Sequence, residues 1–464
     1  MSESDQRKTI KRIKTGAFER RFSVAKAGFV AGTRLVAQSA GNVFTAKEHR
    51  EAKQKEILAR QAQYLADEIG KLKGSIVKIG QMMALYGEHF LPKEVTDALH
   101  TLEDDTTALD WTTIYETIED ELGEDRLAQL EIDENPIGCA SIGQVHRATI
   151  RATGEQICLK VQYPGVADAV DSDLNAVETL LRVLKIIPIT DEFHTWYQEI
   201  RDMMHREVDY GHELEKTALF RERLKHDDRY IVPKVYPEFS TPHILATAYE
   251  PGIGVDSETA LNLSQERRNL ICRAALDLCW SEVFRWGEMQ TDPNFGNYFI
   301  RLGDGESVPD RMILLDFGAV REFSASTIEP GRKIVRAAFE HNEPLLFEGL
   351  VELGFLEEST PIEVKRSLAK VVFLAIEPFN DNEANPPPSF VLNEKGEYLW
   401  GKSDLPGRIA LKATAGATTG AASRTFILPP REVMFLIRKI MGAYTFLSVL
   451  SAELKGREIL EPYV

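Results

Sequence analysis

Residues 290–318 begin Gln290-Thr-Asp292-Pro-Asn-Phe-Gly-Asn297-Tyr-Phe-Ile and end Ile-Leu-Leu-Asp316-Phe-Gly. Asp292 stands five residues before Asn297, a short apolar strand follows, and a second apolar strand, Met312–Leu315, runs straight into Asp316. Mg²⁺ takes hard oxygen ligands and keeps substrate phosphates among them, so an amide and a carboxylate (Asn297 and Asp316) suit the metal. A separate carboxylate, Asp292, suits the orientation or deprotonation of an attacking hydroxyl or water. Asp-x-x-x-x-Asn and Asp-Phe-Gly each arise by chance too readily to prove anything alone. Their order, with a long apolar helix expected over Leu261–Trp286 and strands around them, predicts a helix–loop–hairpin that brings both metal ligands beneath one nucleotide. The bland alternative is ordinary loop acids.

Such a site needs a cation for the phosphates, and the chain upstream offers one. Pro136-Ile-Gly138-Cys-Ala140-Ser141-Ile142-Gly143-Gln144-Val-His146 is a run of small residues flowing into an alternating strand; a Thr153-Gly154 turn and a second strand, Gln156–Gln162, follow. Small residues let backbone N–H groups approach phosphate oxygens, which makes Ala140, Ser141, Ile142, Gly143 and Gln144 candidates for nucleotide contact. Lys160 lies in the middle of the second strand, where an unpaired ammonium is costly, so it calls for phosphate and a carboxylate; an exposed edge-strand lysine is the alternative. The helical pattern His205–Thr217 supplies Glu207, Asp209 and Glu213, of which 209 and 213 share a face and 207 turns away; Glu213 is chosen as the partner of Lys160.

These elements predict an α+β, two-lobed, protein-kinase-like fold. The boundaries expected are a basic leader over 1–44, a helical extension over 45–130, an N-lobe with a helical insertion over 131–250, and a largely helical C-lobe over 251–464. Glu250-Pro-Gly252 is the expected linker between lobes, and Glu250 joins the nucleotide-binding set. Asn380–Ser389 and Ala413–Ser423 are expected to be loops, and Pro429-Pro430 to open a last helix over Val433–Leu454.

Composition bounds the partners. At 464 residues, 43% hydrophobic and 27% charged, the chain has the balance of a soluble globular protein. A net charge of −17 argues against a nucleic-acid partner, which needs clustered cations. Residues 1–36 nevertheless carry nine Lys and Arg against three acids, so a basic leader precedes an acidic body. Phe22–Phe44, with Lys26 and Arg34 among apolar residues, suggests either an interfacial helix on an anionic lipid surface or a helix packed on the protein itself. Cys139, Cys158, Cys272 and Cys279 show neither zinc-site spacing nor disulfide density, which points to a reducing compartment. No run has the roughly 18 uninterrupted apolar residues of a spanning helix, and no secretory or transit signal is evident, so peripheral attachment is expected.

Taken jointly, Lys78-Ile-Gly80-Gln81, Ala140-Ser-Ile-Gly-Gln-Val-His146, Lys160-Val-Gln-Tyr-Pro-Gly165, Glu207-Val-Asp209-Tyr, Gln290-Thr-Asp292-Pro-Asn and Leu315-Asp316-Phe-Gly resemble the ABC1/UbiB/COQ8 atypical kinase-like proteins from about Gly70 to Leu450. Gln290-Thr-Asp292-Pro-Asn, Leu428-Pro-Pro and Arg438-Lys439 look closest to the COQ8 branch. The resemblance implies ATP as substrate with Mg²⁺, ADP as product, and support of ubiquinone biosynthesis, with quinone precursors or quinone-biosynthesis proteins as partners. It also implies a place on the cytoplasmic side of a bacterial inner membrane, or on the matrix side of a mitochondrial one. It further implies that Lys78 and Gln81 engage Glu207 and Asp209 and cover the region where a peptide would lie, favouring ATP hydrolysis or small-molecule phosphotransfer. Read without it, Lys78 is a solvated lysine beside a helix-packing glycine. One departure is Gly138-Cys139-Ala140 where the family has three alanines; glycine there is expected to loosen the loop. Two rival readings are a conventional Ser/Thr protein kinase and a non-catalytic nucleotide-binding scaffold. The first lacks His-Arg before Asp292 and an Ala-Pro-Glu after Gly318.

Overall fold

The computed structural model describes residues 47–72, 74–87, 91–102, 108–184, 186, 190–305, 307–382, 385–418 and 431–464. The basic leader, the helix expected over Phe22–Phe44 and Leu428-Pro429-Pro430 lie outside these residues. The chain divides into two compact units, one built from the chain up to Glu215 with Lys234–Tyr249, the other from Lys216–Pro233 with Glu250–Val464. Helix Tyr210–Leu224 contributes residues to both.

The first unit is organised on a five-stranded antiparallel sheet. Its path is Leu130–Ile132, Gly143–Ile150, Gln156–Gln162 and Ile244–Ala248, with the short strand Gly138–Cys139 also paired to Gly143–Ile150. Strand Gln156–Gln162 alternates as a half-buried strand must: Ile157, Leu159 and Val161 enter the core while Cys158 and Lys160 face the other way. Helix Trp111–Leu122 supplies Ile114, Ile118 and Leu122 to that core, spaced one turn apart. Asp110 starts this helix by accepting the Thr113 N–H, and Gly123, at φ 72°, ends it.

Further helices of this unit include Lys47–Leu72, Ser75–Tyr86, Lys93–Leu99, Val166–Val183 and Asp191–Glu207. Helix Ser75–Tyr86 packs against Val166–Val183 and Asp191–Glu207, and Trp196 Nε1 donates to the Tyr86 carbonyl at 2.9 Å. Gly80 has a steric reason here, because a Cβ would fall 2.4 Å from Leu102 Cδ1.

The second unit is mostly helical. A four-stranded sheet in the order Tyr230–Ile231, Arg311–Leu314, Tyr298–Arg301, Ile253–Gly254 sits with helices Gln265–Trp280, Ala325–Phe339, Glu343–Glu352, Ile362–Ala375, Leu405–Thr418 and Arg431–Val449. Two further strand pairs are Glu288–Gln290 with Val320–Glu322 and Tyr398–Leu399 with Glu453–Leu454. The α+β class expected from sequence is the class observed.

Several expected elements differ. The helix read through His205–Thr217 is two helices broken at Val208-Asp209, where the Val208 carbonyl accepts from Gln162 Nε2 at 3.0 Å. The long helix over Leu261–Trp286 is regular only over Gln265–Trp280 and continues as a π-type turn, Ser281–Trp286. Ala413–Ser423 is not wholly a loop, since helix Leu405–Thr418 runs into it, and the last helix stops at Val449 because Glu453-Leu454 pairs as a strand. Gly138-Cys139 is not loosened: it pairs with Val145-Gln144, and a Cβ on Gly138 would meet nothing closer than Val145 at 3.9 Å. Among the described residues no helix is long and apolar enough to cross a membrane.

Candidate active site

In the first unit, strand alternation presents Lys160 away from the core, and helix Tyr210–Leu224 presents Glu213 to it. Lys160 Nζ lies 2.8 Å from both carboxylate oxygens of Glu213 and 5.0 Å from the centroid of the Tyr210 ring. The two ends differ in access: the Lys160 side chain is 29% exposed, that of Glu213 only 4%. A buried carboxylate thus aims a lysine whose side chain is partly open to solvent, an arrangement suited to a phosphate-binding cation.

The small-residue run before the strand folds as a tight turn, Ala140 N–H donating to the Gly143 carbonyl at 2.8 Å. Ala140 is exposed, while Ser141, Ile142, Gly143 and Gln144 are buried. The Gln144 side chain is committed internally: its Oε1 accepts the Leu109 N–H at 2.9 Å and its Nε2 lies 2.8 Å from His146 Nε2. Only its main chain is left to serve a nucleotide. His146 closes the network on the Asp133 carbonyl, and burial holds its imidazole below the ordinary value, hence neutral.

Lys78 Nζ reaches Glu207 Oε1 at 2.6 Å, and both side chains are partly open, 25% and 30% exposed. Gln81 Nε2 donates to the Leu102 carbonyl at 3.2 Å. Asp209 is a helix cap: its Oδ1 accepts the His212 N–H at 3.0 Å and its carbonyl the Glu213 N–H at 3.2 Å. The expectation that 209 and 213 share a helical face fails for that reason, because Asp209 precedes the helix that carries Glu213.

In the second unit, Asp292, Asn297 and Asp316 are half-buried at one end of the sheet. Asn297 Nδ2 donates to Asp292 Oδ2 at 3.1 Å, and the Leu315 N–H donates to the Asn297 carbonyl at 3.0 Å, which ties the two metal-ligand candidates to adjacent strand ends. With the Asn297 amide nitrogen committed to Asp292, its oxygen is the end presented as a metal donor. Asp316 Oδ1 accepts the Gly318 N–H at 2.9 Å. An amide oxygen and a carboxylate fit Mg²⁺ that arrives with phosphates, since such an ion needs only one or two protein ligands. Arg438 Nη2 stands 3.5 Å from Asp292 Oδ1 and brings a cation to the site from helix Arg431–Val449. Phe317 is buried against Phe220 at 4.8 Å between ring centroids. The Glu250 carboxylate accepts Arg301 Nη2 at 2.6 Å, so this residue of the expected linker is held by an ion pair.

Two polar clusters here were not read from sequence. Glu288 binds Lys216 at 2.6 Å and also pairs with Arg223; burial alone would raise its carboxyl, yet those two cations hold it below the usual range. Glu282 and Lys439 form a sealed ion pair, 2% and 7% exposed, and the pair drives the Lys439 ammonium up despite its burial. For the second cluster the signal was present, a charge inside each of two largely apolar helical patterns: Glu282 in Ala274–Phe284, which also carries Asp277, and Lys439 beside Arg438 in Val433–Leu450.

The ABC1 atypical kinase-like domain matches residues 101–348. The chain belongs to that family. It is 29% identical over 418 residues to a probable serine/threonine-protein kinase, abkA, of Dictyostelium discoideum, covering 87% of this chain and 70% of that one. It is 28% identical to the mitochondrial atypical kinase coq-8 of Caenorhabditis elegans over 85% of this chain and 50% of that one. The mitochondrial atypical kinase COQ8 of Saccharomyces cerevisiae is 31% identical over 68% of this chain and 62% of its own length. The chain thus spans between half and about two thirds of both COQ8-type relatives. A solved Mycobacterium tuberculosis structure, the complex of Rv3197 with erythromycin, shares the fold at a TM-score of 0.59 and 22% identity over 90% of this chain and 98% of that one. The ABC1 match and this structural likeness together support the kinase-like fold read from sequence.

Proposed function

We propose that this ABC1 protein is a Mg²⁺- and ATP-dependent atypical kinase or ATPase that supports isoprenoid-quinone biosynthesis at an anionic membrane surface. The observation that carries the reading is the bidentate pair of Lys160 with the buried Glu213, a reachable cation aimed by a carboxylate sealed from solvent. Lys160 positions the nucleotide phosphates. Asp316 and Asn297 would hold Mg²⁺, which neutralises charge developing on the transferred group. Asp292 orients the attacking oxygen and takes its proton, with the Arg438 guanidinium 3.5 Å from its carboxylate. Lys78 fastened to Glu207 supports a covered substrate region and hence hydrolysis or small-molecule transfer in place of protein phosphorylation. The quinone link and the membrane surface rest on the family and on the basic leader.

The test is ATP hydrolysis by the purified chain, with and without anionic vesicles and a phenolic quinone precursor, beside two substitutions. Asp316→Asn should abolish Mg²⁺-dependent nucleotide binding in a thermal-shift assay. Asp292→Asn should keep that binding and lower turnover by about 10²–10⁴-fold. Turnover unchanged in Asp316→Asn would sink the reading, and indifference to vesicles would remove the membrane from it.

A further inference from the structure

Asp292 and Asp316 lie on separate loops, and the roles proposed for them require one fixed geometry. The residue that joins them is Gln290. Its Oε1 accepts the Asp292 N–H at 3.2 Å and its Nε2 donates to the Asp316 carbonyl at 2.6 Å, so one buried amide spans the backbones of both loops. Only a side chain with an acceptor and a donor at opposite corners makes both bonds. Gln290 is itself anchored by its strand, since Glu288–Gln290 pairs with Val320–Glu322 and sets Gln290 opposite Val320. That strand follows directly on the π-type turn Ser281–Trp286, a local form that recurs at functional sites.

We infer that Gln290 is a positioning residue: it locks the candidate base Asp292 to the candidate metal ligand Asp316. This rests on the roles proposed above for those two aspartates. Gln290 touches neither substrate nor metal in this scheme and acts through the backbones it holds.

Two substitutions test it. Gln290→Leu keeps the volume and removes both bonds; kcat should fall by about a hundredfold, the effect of an ångström-scale misplacement, with KM for ATP nearly unchanged. Gln290→Glu has a pH-dependent outcome that a merely structural role would not produce. Its protonated carboxyl restores both bonds, whereas its ionised form faces the Asp316 carbonyl with negative charge. Its kcat relative to the parent should therefore climb as pH falls from about 8 to about 6, the range into which burial moves such a carboxyl.

A flat pH ratio for Gln290→Glu, or parental kcat in Gln290→Leu, would overturn the inference. Should Gln290→Leu fail to fold by thermal shift, the Gln290→Glu ratio decides alone. Hydrogen exchange separates this inference from the functional reading: the Asp292 amide should be protected in the parent and lose at least tenfold of that protection in Gln290→Leu. A parent without nucleotide turnover defeats the functional reading only. Retained protection of the Asp292 amide in the variant defeats the positioning role by itself.

Discussion

Two lysine–glutamate pairs, one in each unit, are chemically alike and physically opposite. Lys160 with Glu213 keeps one end open, at 29% against 4% exposed, whereas Lys439 with Glu282 is closed at both, at 7% and 2%. A charge withdrawn from water needs a partner, and each carboxylate has one. The difference lies in what else can reach the lysine. The partly exposed Lys160 leaves room for a phosphate to add to the pair; Lys439 is nearly sealed, so its ammonium serves chiefly the carboxylate and the elements that carry them. Access to the cation, more than pairing itself, separates a ligand-handling pair from one that fixes a loop.

The comparison breaks most visibly at the closed pair. Lys439→Met removes the cation that opposes the upward push of burial on the Glu282 carboxyl, leaves that carboxyl buried and unpaired, and should cost about 3–5 kcal/mol of stability by chemical denaturation. The double change Glu282→Gln with Lys439→Met should recover most of that loss, since no charge then remains buried. At the open pair, Lys160→Met should cost only about 1–3 kcal/mol, because solvent on the lysine side relieves the stranded Glu213. Its main consequence should be loss of the nucleotide-dependent thermal shift. Equal destabilisation by both lysine changes would dissolve the distinction.

A third prediction concerns Glu288, whose carboxyl Lys216 and Arg223 hold below its ordinary 4.5 despite burial. A carboxyl with a depressed value in the folded state contributes stability that is present above its unfolded value and lost as pH falls through the folded one. Stability measured downward from about pH 5 should therefore fall less steeply in Glu288→Gln than in the parent. Parallel slopes would show that the two cations do not hold this carboxyl.

How much of this was legible in sequence follows from the range of the forces involved. Period-two alternation around Lys160 and the order Asp292, Asn297, Asp316 are local, and they sufficed for the α+β kinase-like class. The break at Val208-Asp209 was not legible, because the group that satisfies the freed Val208 carbonyl is Gln162, 46 residues away in sequence. The π-type turn at Ser281–Trp286 was hidden likewise, since its apolar residues continue the helical pattern of Gln265–Trp280 without a glycine or proline to mark it. Gly138 misled in the opposite direction: freedom intrinsic to glycine says nothing when its neighbours are already paired in a ladder. Gln290 was visible only as part of a motif, because its two bonds join loops whose proximity the fold creates.

The smallest effect on stability is expected where the sequence alternative for Lys78, a solvated lysine, comes closest to the observed state. Lys78 and Glu207 meet at 2.6 Å with about a quarter of each side chain in water, so Lys78→Met should change stability by only about 0–1 kcal/mol. Gly80 and Leu102 still hold the helix by packing that the substitution leaves alone. Any change in function would then report on the ion pair and not on a collapsed helix. If this pair fastens a cover over the substrate region, Lys78→Met should raise phosphorylation of a generic peptide or of the chain itself, read by phosphate incorporation, while melting at the parental temperature. Unchanged incorporation at unchanged stability would reduce Lys78 to a partly solvated surface pair and leave the chemical task with Lys160.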